Sequence, residues 1–330
     1  MKRFLILGSN SFSGSHFCHH LLQQGYEVIA TSRSAESARA FLPYKWQDNE
    51  PSNFTFEQLD INSDKQAFTR ILKDYTPHFI VNFAAQSMVA QSWEFPQDWV
   101  NTNVLAMTNI IDALNHYDRL EKFVQITTPE VYGSTASLIS EDAVIAPSTP
   151  YAVSRAAGDL MLRAYHEQFG LPVNFTRAAN VYGPGQQLYR IIPRTILACL
   201  TGQKMTLDGG GLSERAFIHI SDVCVATLDI ALSAEVGETF HISTNEFVSI
   251  RQLVEQIVEM TGADFNEVVT MGKERRGKDQ AYFLNSEKVR ADLGWEDKIS
   301  LKTGLTQTVS WVREHLDVFE KMEIGYVHKP

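Results

Sequence analysis

Short runs of bulky apolar residues alternate, through the first half of the chain, with longer segments whose apolar positions recur every three or four residues. The runs Phe4–Leu7, Tyr26–Ala30, Phe54–Leu59, His78–Asn82, Lys122–Thr127 and Val173–Thr176 have the length and aromatic or β-branched content of strands covered on both faces. The segment through Cys18, Leu21 and Leu22, and those at Thr102–His116 and Ala152–Gln168, keep the helical period. A strand-then-helix order repeated in this way predicts an α/β fold with a doubly wound parallel sheet, because each parallel connection must cross a face of the sheet. Residues 1–176 read as that one domain. Past Arg177 the alternation loosens into the Gly and Pro punctuation of NVYGPGQQ, an expected helix over Arg190–Thr201 and a Gly-rich turn at Asp208–Gly211. Residues 177–330 are expected to form mainly a smaller lobe, some of whose segments add strands to the sheet.

Composition narrows the partners. A chain of 330 residues with 44% apolar residues can fill one α/β core and leave length for a second lobe. With 29 basic and 39 acidic residues, a net charge of −10 and no basic tract, it is poorly suited to a phosphate backbone, and no nucleic-acid partner is expected. Cys18, Cys199 and Cys224 are far apart and show neither zinc-site nor redox spacing, and the ten histidines form no compact ligand pattern, so no metal is expected. The opening MKRFLILGSN is too short an apolar segment for a cleaved signal, and no run is long enough to span a bilayer. These features fit a reducing cytoplasm without a membrane partner.

The first specific chemistry is the loop GSNSFSG, which runs from the first strand into the first helix. Gly8 and Gly14 permit a tight turn and close approach of backbone to a pyrophosphate, and Ser11 and Phe12 stand at a helix entrance whose N–H groups favour an anion. Ser11 occupies the place of the middle glycine in a three-glycine loop, so the loop also reads as an ordinary strand-to-helix turn. After the second strand the chain offers Ser32 and Arg33 where an acidic residue would receive ribose hydroxyls, which favours NADP, with NAD as the close alternative if Arg33 merely faces solvent. Asp60 and Ile61 follow the third strand at the expected adenine edge.

A second constellation comprises Thr128, Glu130, Tyr151 and Arg155. The first two follow a strand and so reach the carboxyl edge of the sheet, where open α/β folds place ligands. Tyr151 and Arg155 are four apart and share a helix face. A phenol is a poor base at its ordinary pKa near 10, but a guanidinium and an oxidised nicotinamide beside it favour phenolate, which suits alcohol oxidation. Taken without the glycine loop, the pair reads as a surface tyrosine beside a solvated arginine.

NFAAQS at 82–87, TN at 102–103, TTPEVYG at 127–133, PYAVSRAAGD at 150–159, NVYGPG at 180–185, RAFIHISDV at 215–223 and LGW at 293–295 complete a pattern that resembles the extended short-chain dehydrogenase/reductase superfamily. Within it, the chain is most similar to the nucleotide-sugar epimerases and dehydratases, especially those of the dTDP-glucose 4,6-dehydratase kind. The resemblance implies a Rossmann-like domain with a C-terminal substrate lobe, a homodimer built through helices of the large domain, and a nucleoside-diphosphate hexose as substrate. It places Ala84, Ala85 and Asn103 beside the coenzyme and makes Tyr151 the base at the sugar C4 hydroxyl, with Thr128 as its hydrogen-bonding partner and Glu130 as the base at C5. It implies Gln86 and Ser87 near the hexose and Asn180, Arg190, Arg215 and Arg276 near the diphosphate.

Two positions depart from the pattern. Arg155 stands where the family usually has Lys, and Pro129 where the dTDP-glucose enzymes have an Asp that helps protonate the leaving C6 hydroxyl. Glu130 favours dehydration over 4-epimerisation, which needs no base at C5, although UDP-glucuronate decarboxylases have a similar Glu. Ser11, Pro129 and Arg155 together motivate one further alternative, a noncatalytic dinucleotide sensor.

Overall fold

Phe4 and Ile6 point to one side of their strand and Leu5 and Leu7 to the other, and all four are fully buried, as a strand covered on both faces requires. The computed structural model describes residues 2–47, 51–134, 137–272 and 283–329. Seven strands form the main sheet: β1 (Arg3–Leu7), β2 (Glu27–Ser32), β3 (Phe54–Gln58), β4 (Phe79–Asn82), β5 (Lys122–Ile126), β6 (Val173–Ala178) and β7 (Thr239–Ile242). Their order is β7-β6-β5-β4-β1-β2-β3, with every neighbouring pair parallel. The winding reverses between β1 and β4, which opens a crevice at the carboxyl ends of those strands.

Eight helices matter to the site: α1 (Phe12–Gln23), α2 (Lys65–Tyr75), α3 (Ala106–Leu114), α4 (Pro150–Phe169), α5 (Ile191–Thr201), α6 (Ile220–Ser233), α7 (Ile250–Thr261) and α8 (Leu301–Glu314). Helices α1 and α6 cover the face bearing Phe4, Ile6, Val81 and Phe240. Helices α2, α3 and α4 cover the opposite face, where Leu5, Ile80, Phe123 and Phe175 lie. The six strands anticipated from the pattern are all present, with ends displaced by at most two residues, and β7 comes from the later part of the chain. The helix expected over Thr102–His116 opens as a π-type stretch, Asn101–Leu105, before α3 begins. Such wide turns reposition side chains, and this one contains Asn103.

The lobe has its own small sheet, Phe247–Ser249, Glu214–His219 and Asn180–Tyr182. Helices α5, α7 and α8 close over a separate apolar core that includes Ile192, Ile196, Leu253, Ile257, Leu305 and Val312. Ser249 starts α7 with a reciprocal cap to Gln252, which ties the small sheet directly to that core.

Candidate active site

Gly8 ends β1 at φ 84°, and a Cβ there would lie 2.6 Å from the Ala84 backbone nitrogen. A Cβ on Gly14 would sit 2.4 Å from the Gly8 carbonyl oxygen, so both positions need glycine for the loop to close. Ser11 caps α1: its hydroxyl donates to the Gly8 carbonyl at 2.7 Å and accepts from the Gly14 N–H at 3.0 Å. The serine at the middle position of the loop is thus engaged internally. Phe12 is buried in the core, so at this point the loop presents backbone. Asn10 fastens the loop by donating to the Ser34 and Ala35 carbonyls at 3.1 and 2.8 Å, while its buried Oδ1 has no hydrogen-bond partner.

The neighbouring edge is organised by backbone. The Ser32 carbonyl accepts from Leu59 at 2.9 Å, Asp60 Oδ1 accepts from the Asn62 N–H at 2.9 Å, and Ile61 packs partly against the core. After β4, the Ala84 N–H donates to Asn82 Oδ1 at 3.0 Å, and Ala85 leads on to Gln86. Asn103 clamps both backbone groups of Gln86, at 3.0 Å each, and donates to Ser154 Oγ at 2.9 Å. It therefore fastens the end of β4 to α4, which carries Tyr151.

Thr128 follows β5 and caps a short turn, Pro129–Tyr132, accepting the Glu130 N–H at 3.3 Å. Pro129 occupies the first position of that turn, where a missing N–H costs nothing. Tyr151 lies in the first turn of α4, which Thr149 caps by accepting from Ala152 at 3.1 Å. Its phenol hydrogen-bonds to Thr128 and feels the charges of Arg155, Glu130 and Arg190. Burial pushes the Tyr151 phenol above its ordinary value; Arg155 and the Thr128 hydrogen bond pull it back. Arg155 Nη2 donates to the Ile126 carbonyl, and its buried Nε has no hydrogen-bond partner. The structure thus brings Thr128, Glu130, Tyr151 and Arg155 to one wall.

Behind this wall lies a polar network that was not anticipated. Asp159 Oδ2 accepts from Thr127 Oγ1 at 2.8 Å and from Arg177 Nη2 at 3.2 Å, in an ion pair with side chains only 0% and 1% exposed. Arg177 also donates to the Tyr132 hydroxyl, and its guanidinium lies 4.6 Å from the centre of that ring. The same hydroxyl meets His241 Nε2 at 2.7 Å, while His241 Nδ1 is 3.2 Å from the Asn285 carbonyl. The network thereby grips both ends of the segment bearing Thr128 and Glu130. A signal for it existed: Tyr151, Arg155 and Asp159 recur at intervals of four along one helix.

The remaining expected contacts are more open. Ser87 and Asn180 are exposed, and Asn180 Nδ2 donates to the Ala216 carbonyl at 3.1 Å. Arg190, also exposed, precedes α5 and stands 5.5 Å from the Tyr189 ring centre. Arg215 lines a cavity of about 230 Å³ with Tyr189, Arg194, Asp208 and Ser213; Arg194 was not anticipated. Gln86 is buried and donates to the Lys329 carbonyl at 2.7 Å. Arg276 lies outside the described residues.

Among the described residues, no group of three or more His, Cys, Asp or Glu is placed to hold a metal, and no helix is long and apolar enough to cross a membrane. The features of the crevice do fit a dinucleotide: a glycine cradle that a Cβ would fill, a helix N-terminus, an orphaned acceptor on Asn10 and an orphaned donor on Arg155.

A family model described as GDP-mannose 4,6 dehydratase matches residues 5–308. A dTDP-glucose 4,6-dehydratase from Streptomyces niveus is 31% identical over 97% of this chain and 96% of its own length. The crystal structure of a dTDP-glucose 4,6-dehydratase from Streptomyces venezuelae with NAD bound is 31% identical, covers 96% of this chain and 98% of its own, and superposes with a TM-score of 0.88. That of the enzyme from Bacillus anthracis in complex with NAD is 30% identical, with the same coverage of both chains and a TM-score of 0.86. These complexes overturn the expectation of NADP: the coenzyme they hold is NAD. The physical reason for the misreading lies at Arg33, whose Nη2 donates to the Lys329 carbonyl at 3.1 Å, a partner remote in sequence.

Proposed function

The chain belongs to the GDP-mannose 4,6-dehydratase family, and from that membership and the geometry of its catalytic wall we infer that it is an NAD-dependent nucleotide-sugar 4,6-dehydratase, a lyase. Its substrate is a nucleoside-diphosphate hexose and its product the corresponding 4-keto-6-deoxyhexose. The observation that carries this reading is Glu130, two residues after Thr128 and within electrostatic reach of Tyr151. When bound, NAD supplies the reversible hydride acceptor that the reaction needs.

Tyr151 takes the proton of the C4 hydroxyl, Thr128 orients its phenol, and the fixed charge of Arg155 favours the phenolate. With C4 at the ketone level, the C5 proton is acidic and Glu130 removes it. Pro129 brings no proton, so protonated Glu130 is the group on this wall that delivers one to the departing C6 hydroxyl. The glycine loop, the Ser32 edge and Asn103 hold or brace the coenzyme side, while Arg190, Arg194 and Arg215 supply positive charge for the diphosphate. A homodimer suits the exposed apolar residues Leu105, Val153 and Leu160 on helical segments of the sheet domain.

The test is turnover of a panel of dTDP-, GDP-, UDP- and CDP-hexoses in deuterated water. The native protein should form a 4-keto-6-deoxy product with solvent deuterium at C5. Glu130→Gln should retain oxidation at C4 but lose about 10²–10⁴-fold in elimination, the range for a positioned acid–base group. Undiminished C5 exchange in that variant would remove Glu130 from the role.

A further inference from the structure

The segment following α8 and its short extension alternates along its length: Ile324, Tyr326 and His328 are partly buried, whereas Gly325, Val327 and Lys329 are exposed. An extended strap with one face turned inward has this period of two. Ile324 packs on the apolar core of the lobe, and Tyr326 meets the Tyr189 ring edge-on at 5.5 Å. His328 reaches the sheet domain. Its ring lies 4.8 Å from that of Phe95 and 5.2 Å from that of Trp99, nearly parallel to both, and its Nε2 is 2.7 Å from Asp98 Oδ2. The next residue makes polar contacts with the sheet domain. The Lys329 carbonyl accepts from both Gln86 Nε2, at 2.7 Å, and Arg33 Nη2, at 3.1 Å.

Arg33 directly follows β2, the strand whose end receives the adenosine ribose in dinucleotide-binding sheets. A guanidinium at this place is the natural partner of a 2′-phosphate, yet here one of its donors is committed to a neutral carbonyl delivered by the strap. Tyr326 lies within the fields of both Arg33 and Arg190, so the strap passes between the coenzyme edge and the substrate lobe.

We propose that the strap Ile324–Lys329 is a specificity-determining element: anchored by His328, it holds Arg33 on the Lys329 carbonyl and so biases the site toward NAD and against NADP. The proposal rests on the reading of the crevice as an NAD site.

The experiment is calorimetric titration of NAD and NADP into protein freed of copurified coenzyme. Four proteins are compared: the native chain, His328→Ala, a deletion of residues 324–330, and that deletion combined with Arg33→Ala. Deletion should improve NADP binding relative to NAD by about tenfold, the scale of one charge-assisted phosphate contact. His328→Ala, which loosens the anchor without removing the carbonyl, should give about threefold. Arg33→Ala should cancel the gain. Equal changes for both coenzymes, or a gain that survives Arg33→Ala, would overturn the proposal. If the deleted chain fails to fold, an unchanged NAD/NADP ratio in His328→Ala overturns it instead. A native chain that binds neither coenzyme would refute the dehydratase reading, whereas one that binds NAD and makes the 4-keto product but keeps its preference in every variant refutes only the role of the strap.

Discussion

The inner wall of the crevice and its outer rim solve opposite problems. On the wall, Thr128, Tyr151 and Arg155 are each less than a tenth exposed and are backed by the buried network of Thr127, Asp159, Arg177, Tyr132 and His241. On the rim, Ser87, Asn180 and Arg190 are exposed, and the strap crosses from the lobe to Gln86 and Arg33 of the sheet domain. Proton transfer requires geometry held to fractions of an ångström, which only packed and hydrogen-bonded groups supply. Recognition of a flexible diphosphate tolerates mobile cations. The difference teaches that one crevice can keep its chemistry fixed while coenzyme and substrate preference vary at the edge.

The comparison breaks most decisively at Asp159. Asp159→Asn keeps the shape but removes the charge opposite Arg177, leaving a buried guanidinium uncompensated. Breaking a buried pair from one side should cost about 3–5 kcal/mol, read as a lower denaturation midpoint in urea. Surviving folded enzyme should also lose kcat more than it gains in KM, because the Thr127 anchor of the strand end bearing Thr128 falls from a charge-assisted to a neutral hydrogen bond. An equal loss on replacing exposed Arg190 by Ala would erase the distinction between wall and rim.

A smaller effect appears in acid. Burial, helped by the Arg177 charge, lowers His241 from 6.5 to about 3, and burial lowers His219 to about 4. Both are neutral in the folded protein where the unfolded chain would be protonated, so their contribution is intact above about pH 6.5 and is lost as pH falls toward the folded values. Thermal stability should therefore decline between pH 6.5 and 4. His241→Gln should flatten that decline by about 2 kcal/mol at pH 4.5, while the native slope unchanged in the variant would place the acid-sensitive group elsewhere.

How much could be foreseen follows the same division. The strands of the sheet were legible because burial on both faces leaves contiguous apolar runs, and Tyr151 and Arg155 because a helix repeats near four residues. Asp159 continues that repeat, but a lone acid eight residues from a tyrosine resembles any solvated helix position until Arg177 is brought opposite it by β6. The coenzyme edge was misread for a different reason. The Arg33 carbonyl partner is 296 residues away, and the Gln86 partner 243, separations across which no local pattern operates. Pro129 supplies no acid, and its place as the first residue of a capped turn is what the sequence did not reveal.

The finest test of the wall is Arg155→Lys, which restores the residue usual in the family while keeping the charge. Arg155 reaches the Ile126 carbonyl through Nη2 and turns a second, buried nitrogen, Nε, toward no protein acceptor. A lysine ammonium carries its three donors on a single nitrogen, so it cannot place donors at both of the separated positions that Nη2 and Nε occupy. Tyr151 would keep a cation nearby, so its phenol should move little and the pH at which kcat rises should stay within about half a unit. The rate should fall by about tenfold, the lower end of the value of one hydrogen bond to a charged group. A rise in rate would mean that the planar guanidinium constrains a wall otherwise tuned for lysine. A loss of a hundredfold or more would mean that the backbone carbonyl of β5 has become part of how this protein holds its catalytic cation, so that the wall owes its rigidity to arginine as much as to the network behind it.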